Sequence, residues 1–315
     1  MSGPRLVLVL SENWTITSPR DLPALVEMAA VAEEAGFDTV MVSEHVVLGP
    51  SSGADGVMAN PRAYAMPGNQ DPATPWPSSV VLLAAIAACT TRLRLGAVAL
   101  LAPLRHPLLL AKELATLDLL SRGRLVVQPT VSWHRDEYEA LGVPFECRGR
   151  LLDEHLAAWA ALWQEGPASF AGEHYAFGHA WLEPKPWRAE GPCLWFGGES
   201  VHPRLLRRIV RYGHGFHPLG IVRREDVDRV RAALAEAGRD PDALEVVGGM
   251  RSAFPDETSV APLAPAIASV APQWAAGVRT FCIKPNQYLD DPRLYPAWCR
   301  EVVERVGELG LEEER

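Results

Sequence analysis

Short apolar runs, rich in β-branched residues, recur along the chain and alternate with segments of helical periodicity. The runs begin near residues 5, 38, 93, 124, 193, 214, 244 and 279. They are continuous rather than alternating, which is typical of parallel strands buried on both faces. Between them, apolar residues recur with helical spacing at residues 22–35, 107–120, 151–163, 203–212, 224–237, 261–276 and 292–306.

Eight strands alternating with helices predict a closed (β/α)8 TIM-like barrel formed by a single domain over residues 1–315. The strand near 214 is the weakest of the eight, because it is short and interrupted by glycine. An open, doubly wound sheet is the alternative, but the Gly-rich first turn typical of that fold is absent. Long insertions follow strands 2 and 4, at residues 46–78 and 131–192, and such loops build the active face of a barrel. The acidic tail, residues 309–315, is expected to be a solvated end.

The amino-acid composition limits which kinds of molecule the protein is expected to bind. The formal net charge is −9, hydrophobic residues make up 48% of the chain and charged residues 22%, so the composition is that of a folded domain. An acidic balance argues against nucleic acid and anionic membranes as partners, and no apolar run is long enough to span a membrane. The start of the chain lacks a signal-peptide pattern, and the five scattered cysteines suggest free thiols in a reducing, cytoplasmic setting.

Several motifs that would name a reaction are absent, namely GxGxxG, GxxxxGK[ST], HExxH and GxSxG. His214 and His217 have a spacing that can bind metal, but no third ligand is near them in the sequence. Packing histidines are the favoured interpretation, so no metal site is predicted.

His45 is the best single catalytic candidate. It follows Ser43-Glu44 at the carboxyl end of the second predicted strand, where barrel enzymes place their chemistry. An imidazole there could relay protons or orient an oxygen, and Glu44 could fix its tautomer. The alternative is a histidine that only caps the strand.

Gly197-Gly198-Glu199-Ser200 is the best candidate for an anion site. Two glycines at a strand end, followed by a serine and a helix, can leave backbone N–H groups free to hold a phosphate. The alternative is a glycine turn with Ser200 as a plain helix cap.

A third candidate region, residues 128–138, runs off the fourth strand. Trp133 could form an apolar wall on the substrate side, while Gln128, Thr130 and Ser132 could supply hydrogen bonds. The alternative is a core tryptophan with polar loop neighbours.

Taken together, these segments resemble the luciferase-like monooxygenase superfamily, in particular the bacterial branch that uses FMN or the deazaflavin F420. The resemblance is collinear over most of residues 5–220 and is specific as a set. It is carried by residues 34–45, 91–96, 104–107, 111–118, 121–125, 137–142 and 195–200.

The resemblance implies a flavin-type ring at the carboxyl face of the barrel, with His45 beside it. It also implies that the end of the third strand supports the ring and that the glycine turn contacts the phosphate. The residues at these positions are Gly96, Ala97 and Val98 for the ring, and Gly197, Gly198 and Ser200 for the phosphate. A homodimer is what the family suggests.

One segment departs from the family. Where a Gly-rich Gly-Val-Gly-Val-Gly-Trp is usual, this chain has Gln128-Pro129-Thr130-Val131-Ser132-Trp133, and Ala97 stands where threonine is common. Glycine permits close backbone approach, so the replacement changes the room near the ring.

The primary hypothesis is therefore an oxidoreductase that uses F420 for hydride transfer, or reduced FMN and O2 for monooxygenation, on a small organic substrate. The loop at 46–78 would act as a lid. One alternative is a degenerate barrel that binds a ligand without turnover. Another is a cofactor-free hydrolase that uses Glu44, Glu199 and His45 as acid–base groups.

Overall fold

The computed structural model describes residues 3–198 and 200–312 of the chain. Its strands are β1 (Arg5–Val9), β2 (Thr39–Val42), β3 (Arg94–Leu101), β4 (Leu125–Thr130), β5 (Ala168–Ala171), β6 (Ala176–Ala180), β7 (Cys193–Phe196), β8 (Gly215–Phe216), β9 (Glu245–Gly249) and β10 (Thr280–Ile283). Eight of them close into a barrel in the order β1-β10-β9-β8-β7-β4-β3-β2, and β5 pairs with β6 separately. All eight neighbouring pairs in the barrel are parallel. The predicted barrel and its eight strands are confirmed, and the doubly wound alternative is wrong.

The helices lie around the barrel. They are α1 (Leu22–Ala35), α2 (Ser79–Cys89), α3 (Pro107–Leu120), α4 (Arg135–Ala140), α5 (Arg148–Leu162), α6 (Pro203–Tyr212), α7 (Arg224–Glu236), α8 (Leu263–Ala268), α9 (Val270–Ala275) and α10 (Tyr295–Gly307). The single helix expected at 261–276 is divided into α8 and α9, because Pro272 has no N–H to bond the carbonyl of Ala268. The pattern missed α2, which is apolar nearly all round and so shows no period. Within the described ranges, no helix is long and apolar enough to cross a membrane.

The interior of the barrel is filled by side chains. Trp195 is fully buried inside it, and it fits because a Cβ at Gly215 would lie only 2.3 Å from the Trp195 ring. At the amino end, Glu245 accepts from the Trp195 ring N–H at 3.2 Å and pairs with the Arg94 guanidinium at 3.0 Å. The barrel is therefore a packed core and not a pore, and chemistry has to occur at one of its ends.

The long connection after β2, residues 46–78, is called the mouth loop below. It reaches from β2 to the loops that follow β9 and β10. The side-chain amide of Asn60 donates to two carbonyl oxygens in the loop after β9, at 3.1 and 2.9 Å. Arg62 forms an ion pair with Asp290, through its Nε at 2.9 Å, and its carbonyl accepts from Gln287 at 3.2 Å. The loop therefore covers part of the carboxyl end of the barrel.

The connection after β4 holds α4, α5 and the β5–β6 hairpin. Its first part, α4, contacts the mouth loop. The carboxylate of Asp136 accepts from the backbone N–H of Ser51 at 2.9 Å, and Nε2 of His134 accepts from that of Gly49 at 2.8 Å. The two insertions thus meet above β2 and β4. Of the acidic tail, residues 313–315 lie outside the described residues.

Candidate active site

His45 stands at the carboxyl end of β2, three residues after the strand ends, and is nearly buried. Its ring lies edge-on to two indoles, with centroid distances of 5.2 Å to Trp76 and 5.7 Å to Trp133. Nδ1 lies 3.3 Å from a carboxylate oxygen of Glu137. The structure therefore brings together His45 and Trp133, which are separate candidates in the sequence, and adds Trp76 from the mouth loop.

Glu137 is the residue that orients His45. Its side chain is fully buried and lies at the start of α4. One carboxylate oxygen accepts from the backbone N–H of Val46 at 2.5 Å, and the other from the Ser132 hydroxyl at 3.0 Å. A carboxylate fixed in this way favours the imidazole tautomer with its proton on Nδ1, which leaves Nε2 free for acid–base work.

The predicted role of Glu44 as the partner of His45 is wrong. Its buried carboxylate accepts from Arg105 at 2.6 and 3.0 Å, from the Ser79 hydroxyl at 2.7 Å and from the backbone N–H of Leu101 at 3.0 Å. The reason is geometric, because successive side chains of an extended segment point in opposite directions. Glu44 therefore joins the ends of β2 and β3 to the start of α2 and is not available as an acid or base.

The mouth loop holds Trp76, one of the two indoles beside His45, in place. The Trp76 ring N–H donates to the Gln70 side chain at 2.6 Å, and the Trp14 ring N–H donates to the Pro75 carbonyl at 3.2 Å. Burial lowers the pKa of His134, which fits the neutral ring needed to accept the Gly49 N–H. The indole that faces His45 is thus fixed by hydrogen bonds.

The residues at the end of β3 face different ways. Ala97 is buried in the core between the strands and the helices, whereas Val98 faces the barrel interior. A Cβ at Gly96 would lie 3.1 Å from the Val40 carbonyl, so this position packs against β2. The ladder with β4 shifts register between Val98 and Leu100, and the Val98–Ala99 peptide is cis. The side chain of Ala97 therefore points away from the mouth, contrary to its predicted contact with a ring.

Gln128 and Thr130 have different surroundings. Gln128 is fully buried, and its amide donates to the His217 carbonyl at 3.0 Å while its oxygen lies 2.9 Å from His217 Nδ1. The predicted contact of Gln128 with a cofactor is therefore not supported, because both its polar atoms are engaged inside the barrel. Thr130 is partly exposed, and its hydroxyl bonds to no described residue.

His217 is a structural histidine. Burial, with a smaller contribution from Arg251, lowers its pKa to about 3. Since the Gln128 oxygen can only accept, His217 carries its proton on Nδ1. His214 is engaged separately, because its Nδ1 accepts from the Leu194 N–H at 3.1 Å. The two histidines thus have packing roles, and no metal-binding group of three or more His, Cys, Asp or Glu residues occurs in the described parts of the chain.

The glycine turn after β7 precedes α6. A Cβ at Gly197 would lie 1.6 Å from the His217 carbonyl oxygen, whereas one at Gly198 would meet nothing closer than Leu205 at 3.8 Å. Ser200 is exposed and is not the helix cap, since the His202 side chain accepts from the Leu205 N–H at 3.2 Å. The alternative of a plain Ser200 cap is therefore wrong. Glu199 lies outside the described residues.

A second polar centre, which the sequence did not indicate, lies at the ends of β1 and β10. The fully buried ammonium of Lys284 is 3.6 Å from the Glu12 carboxylate, 3.4 Å from the Ala63 carbonyl and 5.3 Å from the centre of the Tyr64 ring. Burial lowers the pKa of Lys284, and Glu12 opposes that shift. Buried acceptor oxygens of Glu12 and Asn286 have no donor among the described residues.

Comparison with known proteins decides the family. The family model for luciferase-like monooxygenases matches residues 5–279. The chain belongs to the luciferase-like monooxygenase family. The resemblance found in the sequence is thereby confirmed, and it extends further toward the carboxyl end than the motifs indicated.

Individual relatives of this luciferase-like protein have diverse names. It is 36% identical over 219 residues to an uncharacterised protein of Mycobacterium tuberculosis, covering 67% of this chain and 74% of the relative. It is 32% identical over 234 residues to a phthiodiolone/phenolphthiodiolone dimycocerosates ketoreductase of M. tuberculosis, covering 72% of this chain but only 59% of that protein. Among solved structures, an F420-dependent secondary alcohol dehydrogenase superposes with a TM-score of 0.70 at 16% identity, over 97% of this chain and 99% of the other. The solved structures that share this fold include complexes with FMN and with an F420–acetone adduct.

Proposed function

We propose that this luciferase-like protein is an oxidoreductase that binds F420 or FMN at the carboxyl end of the barrel and acts on a small organic substrate. The observation that carries the proposal is the His45–Glu137 pair, flanked by Trp76 and Trp133. A buried, oriented imidazole beside aromatic walls is suited to proton transfer next to a flat ring system.

The residues at the mouth fit such a group. Residues 128–133 of this chain contain no glycine, but the Gln128 side chain turns into the barrel, so it does not occupy the space at the mouth. At the glycine turn, a Cβ at Gly198 would make only an ordinary contact with Leu205, at 3.8 Å, and Ser200 is exposed. Backbone N–H groups with a serine hydroxyl form a donor set suited to phosphate.

A bound F420 or FMN would supply hydride or, in the FMN case, oxygen activation. The protein would supply proton transfer and exclude water. Nε2 of His45 would hold or release a proton at the substrate oxygen while Glu137 keeps Nδ1 protonated. Trp76 and Trp133 would exclude water from the reacting atoms.

An alcohol or a ketone is the substrate class that the second polar centre favours. In a substrate complex in which Ala63 and Tyr64 of the mouth loop have moved away from Lys284, the unpartnered oxygens of Glu12 and Asn286 would accept from a hydroxyl group. The Lys284 ammonium would then donate to a carbonyl oxygen. The names of the M. tuberculosis ketoreductase and of the F420-dependent secondary alcohol dehydrogenase point to the same chemistry for those proteins. The hydrolase alternative is less favoured, because Glu44 is bonded to Arg105 and Ser79 and cannot act as its acid or base.

Side-by-side titration with F420 and FMN tests the proposal. We expect saturable quenching of the fluorescence of one of them, and we expect Ser200→Ala to weaken that binding. Turnover with the bound cofactor is then expected to fall at least a hundredfold in His45→Gln, with cofactor affinity nearly unchanged. Absence of binding for both cofactors would favour the degenerate barrel.

A further inference from the structure

A groove lies outside the barrel between α6 and α7, away from the His45 site. It has a volume of about 470 Å³. It is lined by the apolar residues Pro203, Leu206, Val210 and Ala233 and by the basic residues Arg207, Arg211 and Arg229. It is thus an apolar channel with basic edges.

The charge of this groove is unusual for the protein. The chain has a net charge of −9, yet α6 contains four arginines and no acidic residue. Two of them, Arg204 and Arg208, pair with Asp153 at 3.7 and 2.6 Å. Arg207 and Arg229 are exposed and form no ion pair or hydrogen bond with a described residue.

The acidic residue of α7 nearest Arg229 in sequence does not neutralise the groove. Asp228 forms an ion pair with Arg224 at 3.6 Å, one turn earlier on the same helix. Arg207 and Arg229 therefore line the groove without a partner among the described residues, and arginine is the side chain best suited to bind carboxylates.

The groove begins three residues after the glycine turn in the sequence. Its first lining residue, Pro203, is the first residue of α6 and follows Ser200 by three positions. From Pro203 the arginine edge continues along the helix to Arg211, which at 1.5 Å per residue is about 12 Å. The proximity of Pro203 to the turn places the groove next to the proposed phosphate position, so that the part of a ligand beyond its phosphate could lie in the groove.

We infer that this groove binds the oligoglutamate tail of F420, and hence that F420 rather than FMN is the cofactor. The inference rests on the proposed function, because it assumes that the phosphate group lies at the glycine turn. FMN ends at its phosphate, whereas F420 continues into a chain of glutamates. The carboxylates of that chain would pair with Arg207 and Arg229, and its methylene groups would cover Leu206 and Val210.

The expected effect is moderate, because the groove is open to water. Exposed ion pairs contribute about 0.2–1 kcal/mol each, or roughly 1.4- to fivefold in affinity. Two such pairs would make the wild-type protein bind F420 with a long tail roughly tenfold more tightly than F420-0, the form with the phosphate but no glutamate. Salt would reduce this difference.

The test is a fluorescence titration of both ligands at low and high salt. Arg207→Glu and Arg229→Glu are each expected to weaken binding of long-tailed F420 about threefold to tenfold, since each replaces an attraction by a repulsion. Neither variant is expected to change the affinity for F420-0 by more than about twofold. Arg300→Glu, at an exposed position on α10, makes the same change in net charge and serves as the matched control.

The outcomes separate the two proposals. If the wild-type protein binds both forms equally, or if Arg300→Glu weakens binding as much as Arg229→Glu, the groove does not hold the tail and only the inference fails. If neither F420 form binds at all, the proposed use of F420 fails and the inference fails with it. Loss of the tail-dependent affinity in the two groove variants alone would support the assignment.

Discussion

Replacing His217 by Asn should remove a defined part of the pH dependence of stability. The neutral His217 ring is buried and hydrogen-bonded to Gln128 at 2.9 Å, and burial lowers its pKa to about 3. Asn keeps an amide donor near the position of Nδ1 but does not titrate.

The magnitude follows from linkage. In the unfolded chain a histidine has a pKa of about 6.5, so that state binds more protons than the folded state below this pH, and stability falls as the pH falls. At pH 5.0, protonation of the unfolded imidazole favours unfolding by about 2 kcal/mol, against less than about 0.1 kcal/mol at pH 7.5. The value of about 2 kcal/mol depends on the pKa of the histidine in the unfolded chain, provided that the pKa of His217 in the folded protein is below about 4.

Urea unfolding at pH 7.5 and 5.0 measures the contribution of His217 to the pH dependence of the free energy of unfolding. The free energy of unfolding should fall by about 2 kcal/mol less in His217→Asn than in the wild-type protein, because all other titrating groups are shared. His179→Asn, which removes an exposed imidazole from β6, is the control and should change the difference little. If the fall in the free energy of unfolding between pH 7.5 and 5.0 differs by less than about 0.5 kcal/mol between His217→Asn and the wild-type protein, His217 is not a buried neutral ring. That result would refute the reasoning.

Three further substitutions test individual contacts. Glu137→Gln keeps the shape but weakens the control of the His45 tautomer, so we expect kcat to fall about 10- to 100-fold with little change in cofactor affinity; an unchanged kcat would contradict the orienting role. Glu44→Gln breaks a buried pair with Arg105 and should lower the free energy of unfolding by about 3 kcal/mol in urea titrations, whereas a near-neutral result would show that the pair is not needed. His202→Ala removes the α6 cap and should cost about 1 kcal/mol at pH 7.5, and equal stability would mean that solvent replaces the cap.

Most of the fold could be predicted from the sequence, because strands buried on both faces leave continuous apolar runs. The two-residue strand β8 was recognised from Gly215 and Phe216 alone. The wholly apolar α2 was missed for the opposite reason, since a helix without a polar face shows no period.

The candidate site was predicted only in part. His45 and Trp133 are candidates in the sequence because each follows a strand end, and the structure places them side by side. Sequence proximity, however, wrongly gives Glu44 as the partner of His45. The actual partner, Glu137, is 92 positions away, and only the packing of α4 on the end of β2 brings it close. Lys284 had no motif around it, although it is one of only three lysines in the chain.

The two glycines of the turn after β7 carry different information about evolution. Position 197 has no room for any side chain, since a Cβ there would overlap the His217 carbonyl oxygen at 1.6 Å. Homologues that have lost all catalysis should therefore still keep a glycine at that position. At Gly198 the neighbouring atoms would tolerate an alanine, since the nearest lies at 3.8 Å. A glycine retained there among distant homologues would therefore indicate that a bound ligand, and not packing within the protein, excludes a side chain.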